Sequence, residues 1–241
     1  MRNTDKCTNY GEDDLSHLTA LTNALMTLTG KSWTYVASPR SVGTGGYKEY
    51  YAFVFQTDRV KCTTGGALYP DADDDFVREP FYASFRSGDF DFTAAIVHIY
   101  WGDGTDDPED EVEALDDVWD YLQDLDEHEN DILLLGDFNV HKPTASPFGD
   151  LLAAGVDPLV RGTDFLTTYS TGTSSIGASW YDNIWADHTY SAHEFTWLSG
   201  VDYLHRRFFL DTSWPHLEVR EHISDHCPVW AQFFITKGDD D

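Results

Sequence analysis

Seven short segments rich in aromatic and β-branched residues constrain most strongly what this chain can fold into. Glycine, aspartate or proline clusters bound them, a pattern typical of buried strands. They cover residues 33–37, 50–56, 81–85, 92–100, 131–135, 181–185 and 227–234. Because amphipathic helical segments separate some of them and turns separate others, the sequence predicts an α/β fold layered around a mixed sheet.

Helical periodicity marks the segments between these strands. The first helix should follow Asp13 and Asp14, carry leucines three or four residues apart, and end before Gly30. A second amphipathic helix is predicted over 108–125, and a short one over 148–154. With no internal repeat and no linker, the 241 residues are expected to form a single domain over 1–241 with flexible ends at 1–11 and 236–241.

The charge of the chain is strongly acidic, with 43 Asp and Glu against 15 Lys and Arg and a formal net charge of −28. Such a surface repels polyanions at low ionic strength, but near 1 M salt the Debye length falls to about 3 Å. The acids run from Asp5 to Asp241, which favours a salt-adapted surface, although one acidic tail or loop is the alternative. Charge alone disfavours a nucleic-acid partner, so any nucleic-acid binding must depend on the residues of a local site.

Membrane and redox signals are weak in this sequence. No window approaches the roughly 18 apolar residues of a membrane span, and the first ten residues lack the apolar core of a secretory signal. The three cysteines, Cys7, Cys62 and Cys227, contain no CxxC motif and allow at most one disulfide within the chain. A zinc cluster is therefore not encoded, and the redox compartment stays open.

Two motifs place polar groups where a loop meets a buried strand. The strand ending at Leu135 runs into Gly136-Asp137-Phe138-Asn139, so Asp137 and Asn139 can face one cation or one phosphate if the chain stays extended. Alternatively these residues form a plain turn. In Ser224-Asp225-His226, Asp225 can bind a cation while His226 acts as a base, or the histidine only packs and hydrogen-bonds.

Four further residues are candidates for the chemistry. His98 stands among apolar strand residues, where imidazole needs a hydrogen-bond partner. Glu49 and Asp182 each lie at the entry of an aromatic strand, suited to orient an imidazole or simply to remain solvated. Arg78 has the forked geometry of a phosphate clamp, but it can equally pair with Glu79 or another neighbour.

Taken in order, the motifs resemble the endonuclease/exonuclease/phosphatase superfamily and, within it, the deoxyribonuclease I branch. They are YKE at 47–49, REP at 78–80, VH at 97–98, GDFN at 136–139, YD at 181–182 and SDHCP at 224–228. The resemblance runs from about residue 13 to residue 234. It implies a four-layer αββα sandwich and phosphodiester hydrolysis assisted by Mg²⁺ or Mn²⁺, with Ca²⁺ often stabilising the fold.

The resemblance also implies roles by position. His226 with Asp182 would take a proton from the attacking water, and His98 with Glu49 would protonate the leaving 3′ oxygen. The other implied assignments are Asp137, Asn139, Asp225 and Glu12 as ligands of metal or scissile phosphate, Arg78 as a phosphate contact and Tyr47 as a contact to the DNA strand. Residues 1–11 contain no counterpart of the family's two opening strands, so the fold is expected to be incomplete there.

The sequence hypothesis is a metal-dependent DNA endonuclease of low sequence specificity, salt-adapted, extracellular by resemblance, monomeric and without a membrane partner. Arg206 and Arg207, beside Tyr203 and His205, either form a small basic patch near the site or neutralise nearby acids. One alternative is another phosphoesterase of the superfamily that acts on lipid or small-molecule phosphates. A second alternative is a catalytically impaired binding fragment.

Overall fold

The computed structural model describes residues 15–44, 48–102, 108–125, 130–142, 146–162, 165–189, 191 and 193–237. The strands are β1 (Trp33–Ala37), β2 (Ala52–Gln56), β3 (Lys61–Leu68), β4 (Phe81–Ser87), β5 (Phe90–His98), β6 (Ile132–Asp137), β7 (Val156–Pro158), β8 (Asp182–Asp187), β9 (Phe195–Val201) and β10 (Val229–Phe233). The helices are α1 (Ser16–Thr29), α2 (Pro108–Glu113), α3 (Leu115–Leu125), α4 (Gly149–Ala153) and α5 (Pro215–His222).

Six strands form the main sheet in the order β3-β4-β5-β6-β8-β7. The central pair, β5 and β6, is parallel, and β6 pairs antiparallel with β8. The register places His98 opposite Asp137, and Asp137 opposite Asp182. Three polar side chains therefore lie side by side at one end of the sheet.

One face of this sheet is covered by helices. Inward residues of β5, β6 and β8 pack against α2, α3 and α4 in the largest apolar cluster, which includes Trp119 and Trp185. The rings of Phe148 and Trp185 stack with centroids 4.5 Å apart. The amphipathic stripe predicted for 108–125 is thus buried as expected, because its apolar residues repeat at helical spacing.

Two antiparallel strand pairs, β1–β2 and β9–β10, cover the other face. The Phe53 ring of β2 lies 5.0 Å from Phe85, and the Phe233 ring of β10 stacks on Phe90 at 5.1 Å. Helix α1 packs outside β1–β2 through Leu15 and Leu18. The layers run helix, two strand pairs, main sheet and helices, which confirms the predicted α/β class and its αββα arrangement.

Most predicted segments form the expected elements, but some elements were missed. Strand β3 contains two glycines and two threonines, so no apolar run marks it. Gly66 is required there because a Cβ atom would lie 2.1 Å from the Phe81 ring.

The predicted helix over 108–125 is divided at Ala114 into α2 and α3, and β7, β9 and α5 were also not predicted. Asp13, Asp14, residues 1–11 and residues 238–241 lie outside the described residues.

Candidate active site

The candidate site begins at the ends of three adjacent strands of the main sheet. Side chains of a strand alternate between its faces. His98 shares its face with Ala94 and Ile96, which pack toward the β1–β2 and β9–β10 strand pairs rather than toward the helices. By the same alternation, Asp137 follows Leu133 and Leu135, and Asp182 precedes Ile184 and Ala186 on that face. The three side chains therefore point into the space between the two β layers.

Gly136 allows the close approach of β5 and β6 just before Asp137. Its φ is +146°, and a Cβ atom would lie 1.9 Å from the carbonyl oxygen of Val97. No other residue fits this backbone position without displacing a strand. The glycine in the GDFN motif thus has a packing reason that is independent of any ligand.

Glu49 and His98 form the first imidazole–carboxylate pair. Glu49 reaches the site through an isolated bridge with Val42, and its Oε1 lies 2.8 Å from His98 Nδ1. Arg78 holds the same carboxylate from the other side, with Nε 2.6 Å from Oε1, and donates from its Nη1 to the His98 carbonyl oxygen at 3.1 Å. Burial raises the pKa of Glu49, but the His98 hydrogen bond and charge, followed by Arg78, outweigh burial and hold the pKa below its ordinary value.

This geometry resolves the pairing of Arg78. Its partner is Glu49, whereas Glu79 pairs with Arg40 at 2.5 Å. Only 9% of the Arg78 side chain is exposed, so the guanidinium supports the Glu49–His98 pair from behind. Contact of Arg78 with a phosphate stays a prediction.

Asp182 and His226 form the second pair. Asp182 Oδ2 lies 2.8 Å from His226 Nδ1, and His226 is held by a backbone bridge to Thr168 just before β10. Burial lowers the pKa of His226, but the hydrogen bond and charge of Asp182 outweigh burial. The charges of Asp137 and Asp225 add to this effect, and the pKa rises to about 9.

The two pairs converge on Asp137. Its Oδ2 lies 3.6 Å from His98 Nε2 and 3.8 Å from His226 Nε2. Each ring uses Nδ1 for its own carboxylate and directs Nε2 toward the same oxygen. The sequence reasoning that proposed two separate imidazole–carboxylate pairs around Asp137 is consistent with this arrangement.

The donor set suits a hard divalent cation. Asp137, Asp182 and His226 each offer a ligand atom, and these atoms lie within 4.8 Å of one another. Burial, followed by the Asp182 charge, raises the pKa of Asp137 above its ordinary value. A cation would offset this repulsion between neighbouring carboxylates, and oxygen ligands are those that Mg²⁺ prefers.

Asn139 and Asp225 occupy different positions around this cluster. Asn139 donates from its backbone N to Asp137 Oδ1 at 3.0 Å and from its side chain to the Ile99 carbonyl oxygen at 2.7 Å, which leaves its own amide oxygen as an acceptor. Asp225 is 55% exposed and pairs with Arg220 at 3.5 Å. Glu12 and Tyr47 lie outside the described residues, so their assigned roles stay predictions.

A cavity of about 440 Å³ opens beside the convergence point and is lined by Asp137, Asp182, His226, Leu204 and Ile223. Of the two basic residues predicted near the site, one neutralises an acid, and the basic patch stays a prediction for the other. Arg207 pairs with Asp202 at 2.9 Å and so neutralises an acid. Arg206 lies over the Tyr203 ring at 4.6 Å and belongs to the short turn Leu204–Arg206, which contributes Leu204 to the cavity lining.

Sequence reasoning included Tyr181 in the YD motif but missed the aromatic group that it forms beside these residues. The Tyr181 ring contacts two others: its centroid lies 5.3 Å from that of Trp101 and 5.0 Å from that of His141. Trp101 and His141 follow a motif residue by no more than three positions, and Tyr181 directly precedes Asp182. This proximity in sequence could have identified the group, because residues next to strand-end motifs lie at the same edge of the sheet.

Comparison with curated proteins identifies deoxyribonucleases as relatives in sequence. A deoxyribonuclease from Thioalkalivibrio sp. is 37% identical over 221 residues, covering 88% of this chain and 58% of that relative. Deoxyribonuclease-1-like 2 from Mus musculus is 34% identical over 129 residues, covering 53% of this chain and 45% of the relative. The matches thus span about half the length of these curated relatives. No protein-family model matches the chain.

Solved structures share the fold at low sequence identity. An endonuclease/exonuclease/phosphatase family protein from Leptotrichia buccalis has a TM-score of 0.60 at 16% identity, over 92% of this chain and 78% of that one. A 3′ phosphatase from Neisseria bound to a product DNA hairpin has a TM-score of 0.54 at 19% identity, over 88% and 82% of the two chains. Together the two kinds of match confirm the resemblance found in the motifs.

Proposed function

From a chain with the endonuclease/exonuclease/phosphatase fold and a sequence similar to deoxyribonucleases of the deoxyribonuclease I type, we propose a metal-dependent endonuclease that hydrolyses DNA phosphodiesters with low sequence specificity. One observation carries the proposal. Two imidazoles, each fixed at Nδ1 by its own carboxylate, direct Nε2 toward one oxygen of Asp137. Two imidazoles at one point suit a displacement at phosphorus, which needs one group to act as a base and another to act as an acid.

The proposed reaction is attack of water on the scissile phosphorus. His226 Nε2 accepts the proton of the water as its oxygen bonds to phosphorus. The bond from phosphorus to the 3′ oxygen breaks, and protonated His98 gives its Nε2 proton to that oxygen. The products are a 5′ phosphate and a 3′ hydroxyl, and the two rings exchange protonation states over the cycle.

The carboxylates position these rings. Asp182 and Glu49 fix the Nδ1–H tautomer of a neutral ring, which leaves Nε2 free to accept or give the transferred proton. Both carboxylates also stabilise the imidazolium form. Arg78 acts indirectly, because it contacts both the Glu49 carboxylate and the His98 carbonyl oxygen.

Mg²⁺ or Mn²⁺ is the proposed cation, held by Asp137 with Asn139 and Asp225 as further oxygen ligands. Bound there, it would neutralise charge on a non-bridging phosphate oxygen. Glu12 is proposed as an additional ligand, Tyr47 as a contact to the DNA strand, and Ca²⁺ as a stabiliser of the fold. These assignments follow the family motifs.

The acidic surface supports a salt-adapted enzyme, and the family resemblance alone underlies the proposal that it is extracellular. DNA affinity falls with salt in proportion to the phosphate contacts made by Lys and Arg, and this chain has 15 such residues against 43 acids. An enzyme that relies on its site rather than on surface charge keeps more of its affinity in brine. A monomer that acts on DNA and has no membrane partner is part of the proposal. None of the described helices is long and apolar enough to cross a membrane.

The deciding experiment is nicking of supercoiled plasmid with Mg²⁺ or Mn²⁺ across a salt series. We expect nicking that EDTA abolishes, that persists near 1 M salt, and that His98→Ala or His226→Ala lowers at least about a hundredfold. His188→Ala is the matched control, because this exposed histidine pairs with Asp157 at the opposite end of β8. A loss of the same size in the control would refute the assignment.

The same assay separates the two alternatives. Release of phosphate from monoesters without nicking would favour another phosphoesterase of the superfamily. A folded protein that binds DNA but nicks it at no salt concentration would favour a binding fragment. Either result would overturn the endonuclease proposal.

A further inference from the structure

An exposed aromatic group lies beside the proposed active site and takes no part in the proposed chemistry. We call Trp101, Tyr181 and His141 the aromatic shelf. Trp101 and Tyr181 meet edge to face with centroids 5.3 Å apart, and the Tyr181 hydroxyl lies 3.3 Å from His141 Nε2. The shelf is therefore one connected group rather than three separate rings.

The shelf is attached directly to the catalytic strand ends. Trp101 is three residues beyond His98, and Tyr181 immediately precedes Asp182. The Tyr181 carbonyl oxygen accepts a hydrogen bond from the Phe138 backbone N at 2.8 Å, which ties the shelf to the GDFN segment. Tyr181 and Asp182 alternate in direction at the end of β8, so the shelf lies at the edge of the sheet beside the cavity rather than inside it. A polynucleotide longer than the scissile step is expected to extend over this edge, where the exposed Trp101 ring can meet a flanking nucleotide.

Burial differs sharply across the shelf. Tyr181 is 8% exposed, whereas Trp101 is 57% exposed. The indole thus rests on a fixed tyrosine and presents much of its surface to solvent. An exposed large aromatic side chain at a binding site is a stacking surface, since each nucleobase has a π face.

Charge explains why stacking matters in this chain. With a net charge of −28, nonspecific attraction to a polyanion is small, and salt weakens it further. Stacking on an aromatic ring does not depend on counterion release in this way. Because base faces are covered by their neighbours in a duplex, the available face belongs to an unpaired nucleotide.

We propose that the aromatic shelf stacks through Trp101 on an unpaired nucleobase next to the scissile phosphodiester and so favours single-stranded or frayed DNA. This inference rests on the proposed function and adds a preference for strand state. Trp101 is a binding residue that contacts a flanking base and not the reacting atoms. Its loss should therefore raise KM with little change in kcat.

The test compares KM for a single-stranded oligonucleotide and for the same sequence as a duplex. Trp101→Ala should raise KM for the single strand about tenfold, within the range for stacking one base, and change kcat less than about twofold. The duplex KM should change less than about threefold. Trp101→Phe should restore most of the single-strand KM. Trp197→Ala is the matched control, because Trp197 is 70% exposed and lines a cavity at the Asp187 end of β8.

A second measurement needs no turnover. In EDTA, titration with the single-stranded oligonucleotide should quench tryptophan fluorescence of the wild type and of Trp197→Ala, and the quench should largely disappear in Trp101→Phe. An unchanged single-strand KM in Trp101→Ala, or a quench that persists in Trp101→Phe, would overturn the inference. Equal losses on single strand and duplex would also overturn it and indicate contact with sugars of paired DNA. A wild type that cleaves no DNA yet shows the Trp101-dependent quench would refute the proposed function while supporting the shelf.

Discussion

Replacing Asp182 with Asn removes one charge from the Asp182–His226 pair and leaves the side-chain shape nearly unchanged. In the folded wild type, Asp182 Oδ2 is 2.8 Å from His226 Nδ1, and the pKa of His226 is raised to about 9. The ordinary value is about 6.5, so the difference is about 2.5 pKa units, or about 3 kcal/mol as an upper limit. One third of the ring is exposed, and solvent screening reduces the contribution to about 1–2 kcal/mol.

The sign of the pH dependence follows from linkage. Because the folded pKa lies above the unfolded pKa, the stabilisation is fully present below about pH 6.5 and is lost as pH rises through about 9. Asp182→Asn removes most of it by lowering the pKa of His226. We therefore expect the variant to be less stable than the wild type by about 1–2 kcal/mol at pH 6, with a difference that shrinks toward pH 10.

Urea unfolding in EDTA at pH 6, 8 and 10 measures this difference, and NMR titration of the His226 ring measures its pKa directly. Glu218→Gln is the control, because it removes an exposed carboxylate 3.5 Å from His222 on α5, where an ion pair contributes little. A stability difference that is flat between pH 6 and 10, or a wild-type His226 that titrates near 6.5, would refute the reasoning.

Three other predictions follow from the site. The pH–rate profile of nicking should be bell-shaped, because His226 must lose its proton to act as a base while His98 must keep one to act as an acid, and a profile without a rising limb would refute the role of His226. Arg78→Ala should raise the pKa of Glu49 and lower kcat by about tenfold to a hundredfold, checked by a pH–rate profile in which Arg78→Lys shows partial recovery. Gly136→Ala should destabilise the fold by about 3 kcal/mol or more, measured by urea unfolding, since its Cβ would lie 1.9 Å from the Val97 carbonyl oxygen.

The sequence predicted the parts of the fold that depend on local pattern. Apolar strands such as β1 and β5 are recognisable from their aromatic and β-branched residues, and Gly30 ends α1 in the left-handed conformation, as expected. Strand β3 was not recognisable because Thr and Gly replace an apolar run. Its formation depends on pairing with β4 and on the Phe81 ring that lies over Gly66, and both are tertiary effects.

The candidate site shows the same division between local and tertiary information. Alternation along a strand identifies His98, Asp137 and Asp182 as strand-end residues, but only the register between strands places them side by side. Arg78 pairs with Glu49 rather than with Glu79 because residues 48–49 lie against the end of the sheet. The spacing of these residues along the chain does not predict that position.

The single Asp137 oxygen between the two imidazoles links their proton equilibria. A proton gained by one ring alters the field at Oδ2 and therefore the proton affinity of the other ring, although the rings need not touch. The protonation of the imidazole that acts as the base and of the imidazole that acts as the acid is then coupled through Asp137. Substitution of His98 should consequently change the pKa of His226, and that change would show that the two imidazole–carboxylate pairs act as one acid–base unit.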